Sequence, residues 1–228
     1  MSDCDSEDDA TDKQLKIVIL GDSATGKTNI ATRYAQDQFC RTHKPTVGVD
    51  FYLKRILVKG QINVVLHIWD LGGQSLGGNM LQNYIYGAQG ILLVYDITDS
   101  LSFDNLYDWL SVVNSHGIQS GKTPPHLALI GNKADQLHLR TVSEERHNKF
   151  ANEHDMSSHF LSAKTGESVL VCFQQVAAEM MGLKLTTADH ELQQRVVTAQ
   201  IENAESEIQA SSSNTWNTSP RSPICLLQ

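Results

Sequence analysis

Four short segments carry residue types that can do chemistry together. Gly21-Asp22-Ser23-Ala24-Thr25-Gly26-Lys27-Thr28 has the two glycines, lysine and threonine of a phosphate-cradling loop at the required spacing. Gly21 and Gly26 let the backbone approach a phosphate closely. The N–H groups from Ser23 through Asn29 can then point inward as an anion nest at the positive end of a helix. Lys27 can reach the β- and γ-phosphates as a point charge. The Thr28 hydroxyl suits Mg²⁺, which prefers oxygen ligands.

Asp70-Leu71-Gly72-Gly73-Gln74 offers a second set. Asp70 can hold the Mg²⁺ shell, through water. Gly73 has no side chain, so its N–H can approach a γ-phosphate oxygen, and Gln74 can orient an attacking water. By itself an Asp-x-x-Gly is also what an ordinary turn looks like.

Asn132-Lys133-Ala134-Asp135 and Ser162-Ala163-Lys164 are suited to reading a base. Asp135 can accept two hydrogen bonds from guanine, one from the ring N–H and one from the exocyclic amine. Adenine offers no such pair, and an unpaired carboxylate would penalise it. Lys133 can lay its stem over the base plane, and the Ala163 N–H can contact the base carbonyl. Taken singly, the first could be a polar loop and the second a helix N-cap. Their order after a phosphate loop favours the base-reading role.

The surrounding pattern positions these groups. Lys16-Ile17-Val18-Ile19-Leu20 is a buried-strand run ending at Gly21, and Thr28 to Ala35 reads as a helix. Asn63 to Trp69 is a second strand that delivers Asp70. Leu127 to Gly131 leads into Asn132, and His159-Phe160-Leu161 leads into Ser162. Apolar runs alternating with amphipathic stretches predict a parallel sheet with helices on both faces.

With these motifs in order, the chain resembles the Ras superfamily of small GTPases over roughly residues 14–182. Pro45-Thr46-Val47-Gly48-Val49-Asp50-Phe51 is similar to the segment that marks the Rab family. The resemblance implies an α/β, three-layer P-loop GTPase domain with a mostly parallel six-stranded sheet. It implies that Thr46 is the switch I threonine, whose hydroxyl ligates Mg²⁺ and whose N–H contacts the γ-phosphate. It also implies that Phe39 packs on the guanine. The expected metal set is Thr28, Thr46 and Asp70, and the expected catalytic set is Gln74, Lys27 and Thr46. The implied partners are a guanine-nucleotide exchange factor, a GTPase-activating protein, effectors at the switch regions and a prenyl-binding carrier.

The chain also departs from that family. Rab proteins usually read W-D-T-A-G-Q-E, whereas this chain reads Trp69-Asp70-Leu71-Gly72-Gly73-Gln74-Ser75. The double glycine is closer to the Arf and Gα branches. Leu76 to Gln82 carries no charge where a basic residue is usual, and Ala24-Thr25 stands where Gly and Val are usual. Gln74 is kept, so hydrolysis is still expected.

A length of 228 residues suits a domain over 13–184 flanked by an acidic N-terminus, 1–12, and a tail, 185–228. The net charge of −8 is concentrated in those flanks: residues 1–12 hold Asp3, Asp5, Glu7, Asp8, Asp9 and Asp12 with no base. The acidic segment is expected to be solvated and disordered. Nucleic-acid binding is not expected. Cys4, Cys40, Cys172 and Cys225 have no paired spacing, which fits a reducing compartment and gives no zinc signature. The nine histidines form no H-E-x-x-H pattern, and His43 reads as an exposed loop residue. No apolar run is long enough to span a membrane, and the N-terminus lacks a secretory signal.

The end, Cys225-Leu226-Leu227-Gln228, fits C-a-a-X, and the final Gln favours farnesyl on Cys225. Rab proteins usually end with two geranylgeranylated cysteines, so this is another departure. One lipid chain gives only marginal, reversible attachment, and neither a basic cluster nor a nearby second cysteine supports it. The expectation is a monomeric, prenylated, Rab-like GTP switch on the cytoplasmic face of membranes, regulating vesicle traffic. Two other readings are a GTP-binding scaffold that scarcely hydrolyses and a P-loop kinase for a small substrate. Asp135 and the C-terminal box argue against the kinase.

Overall fold

The computed structural model describes residues 12–41, 44–59, 62–74, 80–117 and 123–185. The acidic segment up to residue 11, His43, Ser75 to Asn79, and the tail from Thr186 with Cys225 lie outside the described residues.

Six strands form one sheet: β1 (Lys13–Leu20), β2 (Val49–Val58), β3 (Ile62–Leu71), β4 (Gly90–Asp96), β5 (His126–Asn132) and β6 (Ser157–Phe160). Their spatial order is β2-β3-β1-β4-β5-β6. β2 runs antiparallel to β3, and every other pairing is parallel. The expected mostly parallel six-stranded sheet is therefore found. Only Val49, Asp50 and Phe51 of β2 fall in a segment marked by sequence. Lys54 and Arg55 interrupt its apolar pattern, and its outward residues Phe51, Leu53 and Leu57 are exposed.

Side chains alternate across the sheet and build two cores. Ile17, Ile19, Leu66, Ile68, Leu92, Val94 and Ile130 face α1 (Lys27–Gln36) and α6 (Val169–Met180). There Tyr34 stacks on Phe173 with ring centroids 3.9 Å apart. Val18, Leu20, Ile91, Leu93, Tyr95 and Leu129 face the opposite side. That side is covered by α2 (Leu81–Ile85), α3 (Ser100–Asp104), α4 (Leu106–Gly117) and α5 (Glu144–Glu153). Sheet and two helical layers make the three layers of an α/β fold. Among the described residues, side chains cap the starts of α3 and α5: Asp99 accepts from the Leu101 N–H at 3.0 Å, and Ser143 Oγ accepts from the Arg146 N–H at 3.2 Å.

Because β1, β3, β5 and β6 point the same way, their C-terminal ends share one edge of the sheet. Gly21 follows β1, Asp70 is the penultimate residue of β3, Asn132 closes β5 and Ser162 follows β6. Open α/β sheets bind ligands outside that edge.

Candidate functional site

A cleft of about 440 Å³ opens at this edge. Its walls come from the phosphate loop with the start of α1, the 39–46 segment, Gly73-Gln74, the Asn132 to Gln136 turn and Ala163-Lys164. Ser23, Ala24, Gly26, Lys27, Thr28 and Asn29 line it. Phe39, Thr46, Lys133, Asp135, Ala163 and Lys164 line it as well. Asn132 and the exposed Gln74 also border it. Gly21, Thr25, Asp70 and Ser162 stand behind that surface and hold it in place.

The phosphate loop is shaped by its sequence. Gly26 adopts φ 93° as the residue that starts α1. A Cβ on it would lie 2.3 Å from the Asn132 amide nitrogen, so only glycine fits. Ala24 takes the left-handed region at φ 64°, where a glycine is more usual. Thr25 is buried, and its hydroxyl donates to the Asp22 carbonyl at 2.9 Å. The Lys27 ammonium, also buried, donates to the Gly21 carbonyl at 2.8 Å and the Asp22 carbonyl at 2.7 Å. Burial lowers Lys27 to about 8, with the charges of Asp70 and Asp22 opposing the shift.

The three oxygen-bearing residues expected to serve a metal meet at one point. The Thr28 hydroxyl donates to Asp70 Oδ2 at 2.6 Å and lies 2.9 Å from the Thr46 hydroxyl. Asp70 Oδ1 is buried with no hydrogen-bond partner. Burial pushes the Asp70 carboxyl up to about 6, against the pull of Thr28 and Lys27. A buried carboxylate oxygen lacking a donor beside two hydroxyls is a hard-oxygen set, which fits Mg²⁺. Among the described residues, no cluster of three or more His, Cys, Asp or Glu side chains offers a softer site.

The double glycine brings two segments into direct contact. A Cβ on Gly72 would lie 2.3 Å from the Thr46 carbonyl oxygen, and one on Gly73 would lie 2.2 Å from the Ser23 nitrogen. The Gly72 N–H donates to the Gly48 carbonyl at 3.0 Å.

At the end of β5, Asn132 joins the 21–28 loop to the 162–164 segment. Its amide donates to the Thr25 carbonyl at 2.7 Å and accepts from the Ala163 N–H at 3.1 Å. The Ser162 hydroxyl donates to Asp135 Oδ1 at 2.7 Å, and Lys164 Nζ lies 3.4 Å from Oδ2. Partial burial works to raise the Asp135 carboxyl, but the hydrogen bonds from Ser162 and Lys164 outweigh it and hold the group below its ordinary value. Lys133 stands at φ 67° with its ammonium 2.5 Å from Asp96 Oδ2, which aligns its stem beside the cleft.

Three supports are not evident from sequence. Asp22 is gripped by Asn105 and Trp109 of the distant α3–α4 region. Arg33 of α1 donates to the Ala163 carbonyl at 3.1 Å and the Lys164 carbonyl at 2.9 Å. Asp96, at the end of β4, holds Lys133. Asn105, Trp109, Arg33 and Asp96 belong to no spaced motif, so no sequence signal singles them out.

Comparison with known proteins agrees with this architecture. The Ras family model matches residues 16–182. The chain is 39% identical to Ras-related protein Rab-28 of Caenorhabditis elegans over 225 residues, 99% of this chain and 90% of the relative. It is 37% identical to Rab-10 of the same organism over 180 residues, 79% of this chain and 87% of the relative. It is 34% identical to Rab-13 of Bos taurus over 172 residues, 75% and 82% of the two chains. With the motifs at the strand ends and a match of this extent, the chain belongs to the Rab family of small GTPases within the Ras family.

Proposed function

We propose that the protein is a GTP-hydrolysing switch of membrane or vesicle traffic, with the cleft as its nucleotide site. The observation that carries this reading is the Thr28 hydroxyl, within hydrogen-bond distance of both Asp70 and Thr46. Three separate segments, α1, the 44–48 stretch and the end of β3, thus converge where a γ-phosphate would end.

In this reading the loop N–H groups and Lys27 hold the phosphates. Asp135, Ala163 and Lys133 select guanine, and Phe39 closes over it. Thr28, Thr46 and Asp70 would hold Mg²⁺, which when bound supplies Lewis-acid charge at the phosphate oxygens. Gln74 orients a water in line with the γ-phosphorus. The oxygen of that water forms the new P–O bond, and the bond to the β–γ bridging oxygen breaks. That oxygen stays on GDP, and the water's protons leave with inorganic phosphate and solvent. No arginine is identified from sequence as acting in cis, so the unassisted rate is slow, on the order of 10⁻⁴ to 10⁻² per second. An activating protein supplies the remainder. Loss of the γ-phosphate releases Thr46 and Gly73, and effectors read that change. An exchange factor resets the switch, and farnesyl on Cys225 with a lipid-burying carrier gives reversible membrane residence.

Single-turnover GTP hydrolysis tests the reading. Gln74→Leu should slow it by about tenfold or more. An unchanged rate would remove Gln74 from the chemistry and favour a binding scaffold.

A further inference from the structure

We propose that Asp22 is a positioning residue of the phosphate loop, acting through α4. The inference rests on the phosphate-site reading above. A carboxylate inside a loop that receives phosphates is electrostatically adverse, because like charges a few ångströms apart repel. Asp22 turns its carboxylate toward the α3–α4 region instead. The Asn105 amide donates to Oδ2 at 2.6 Å, and the Trp109 indole N–H donates to Oδ1 at 2.8 Å. Hydrogen bonds to an ionised acceptor are among the stronger ones.

Both donors are themselves fixed. Trp109 is fully buried in the core that also holds Phe103, Leu106 and Leu110, so its N–H cannot swing away. The Asn105 carbonyl accepts from the Asp108 N–H at 3.1 Å and the Trp109 N–H at 3.3 Å, which locks it to the first turn of α4.

The anchored side chain fixes its own main chain. The Asp22 carbonyl is the acceptor for Lys27 Nζ at 2.7 Å and for the Thr25 hydroxyl at 2.9 Å. One residue therefore links the buried Trp109 of α4 to the carbonyl that aims the phosphate-binding lysine. Trp109 and Lys27 are each hydrogen-bonded to Asp22.

The charge alone and the anchor make opposite forecasts. Removing an adverse negative charge would tighten phosphate binding. Removing an anchor would loosen it. Release of a fluorescent GDP analogue from the full-length protein in excess Mg²⁺ separates them. Asp22→Ala is expected to release it about tenfold faster and Trp109→Phe about threefold faster. The double variant is expected to be no faster than Asp22→Ala alone, since both break one linkage. Asp22→Asn keeps an acceptor for the indole and is expected to fall between wild type and Asp22→Ala. The Trp109 indole proton resonance should shift upfield in Asp22→Ala as its hydrogen bond is lost. Asp22→Ala releasing the analogue at the wild-type rate or slower overturns the proposal, as does independent multiplication of the two single effects. Should Asp22→Ala not fold, Trp109→Phe and Asp22→Asn decide on the same scale. A wild-type protein that fails to hold the analogue refutes the phosphate-site reading itself, and is seen before any variant is compared.

Discussion

Gly72 and Gly48 are joined by a backbone hydrogen bond, with the Gly72 N–H donating to the Gly48 carbonyl at 3.0 Å. The contact continues the β2–β3 ladder past Val49 and Leu71, and it seats the Thr46 stretch against the start of the Gly72-Gly73-Gln74 segment. Its closeness depends on the missing side chain at Gly72.

Gly72→Ala should therefore force the Thr46 stretch outward, because the new Cβ would meet a backbone oxygen rather than a flexible side-chain end. Thr46 is proposed to contact the γ-phosphate, so the loss should fall on GTP more than GDP. A cost of about 1 to 2 kcal/mol would lower the GTP-to-GDP affinity ratio by roughly tenfold. Equal ratios for Gly72→Ala and wild type would show that the 44–48 stretch is not held in this way when GTP is bound.

A buried histidine should make stability fall in mild acid. His147 is fully buried, hydrogen-bonded to the Tyr95 hydroxyl through Nδ1 and to the Ser158 hydroxyl through Nε2, each at 2.8 Å. Burial lowers its pKa to about 4, with the charges of His159 and Arg140 acting in the same direction. The folded state thus favours the neutral ring. Its contribution is complete above the unfolded value near 6.5 and is lost as pH falls toward about 4. The gap corresponds to roughly 3 kcal/mol. Thermal midpoints of wild type and His147→Gln, followed from about pH 7 to pH 4.5, should converge on acidification. Parallel curves would assign the acid sensitivity elsewhere.

Membrane residence should depend on Cys225 and be weak. A single farnesyl chain in an acidic tail gives marginal binding. Cys225→Ser should abolish membrane association in eukaryotic cells while leaving GDP affinity unchanged. Intact-mass analysis showing unmodified Cys225 with Leu226-Leu227-Gln228 retained would reject prenylation.

Much of the site is legible in sequence because its groups lie next to strand ends. A strand–glycine loop–helix run places Gly21 to Thr28 by local geometry alone, and the strands before Asp70, Asn132 and Ser162 bring three more segments to the same sheet edge. Thr46 is different: it follows no apolar strand, and only the likeness of residues 45–51 to Rab proteins pointed to it. The supporting contacts were not legible. Asp22 meets Asn105 and Trp109 across 83 and 87 residues of chain, and Arg33 meets Ala163 across 130. Such pairings are set by how helices pack on the sheet, which residue spacing does not encode. β2 was obscured for a related reason. As an edge strand with one open face it carries Lys54 and Arg55 among its apolar residues, so its pattern is diluted.

Nucleotide competition measured with the full-length protein and Mg²⁺ tests the central claim most directly. GTP and GDP should displace a bound fluorescent GDP analogue at concentrations at least about a thousandfold below ATP, because Asp135 loses both of its base partners with adenine. Asp135→Asn should shift that preference toward xanthine nucleotides. Displacement by ATP as effective as by GTP would contradict the account.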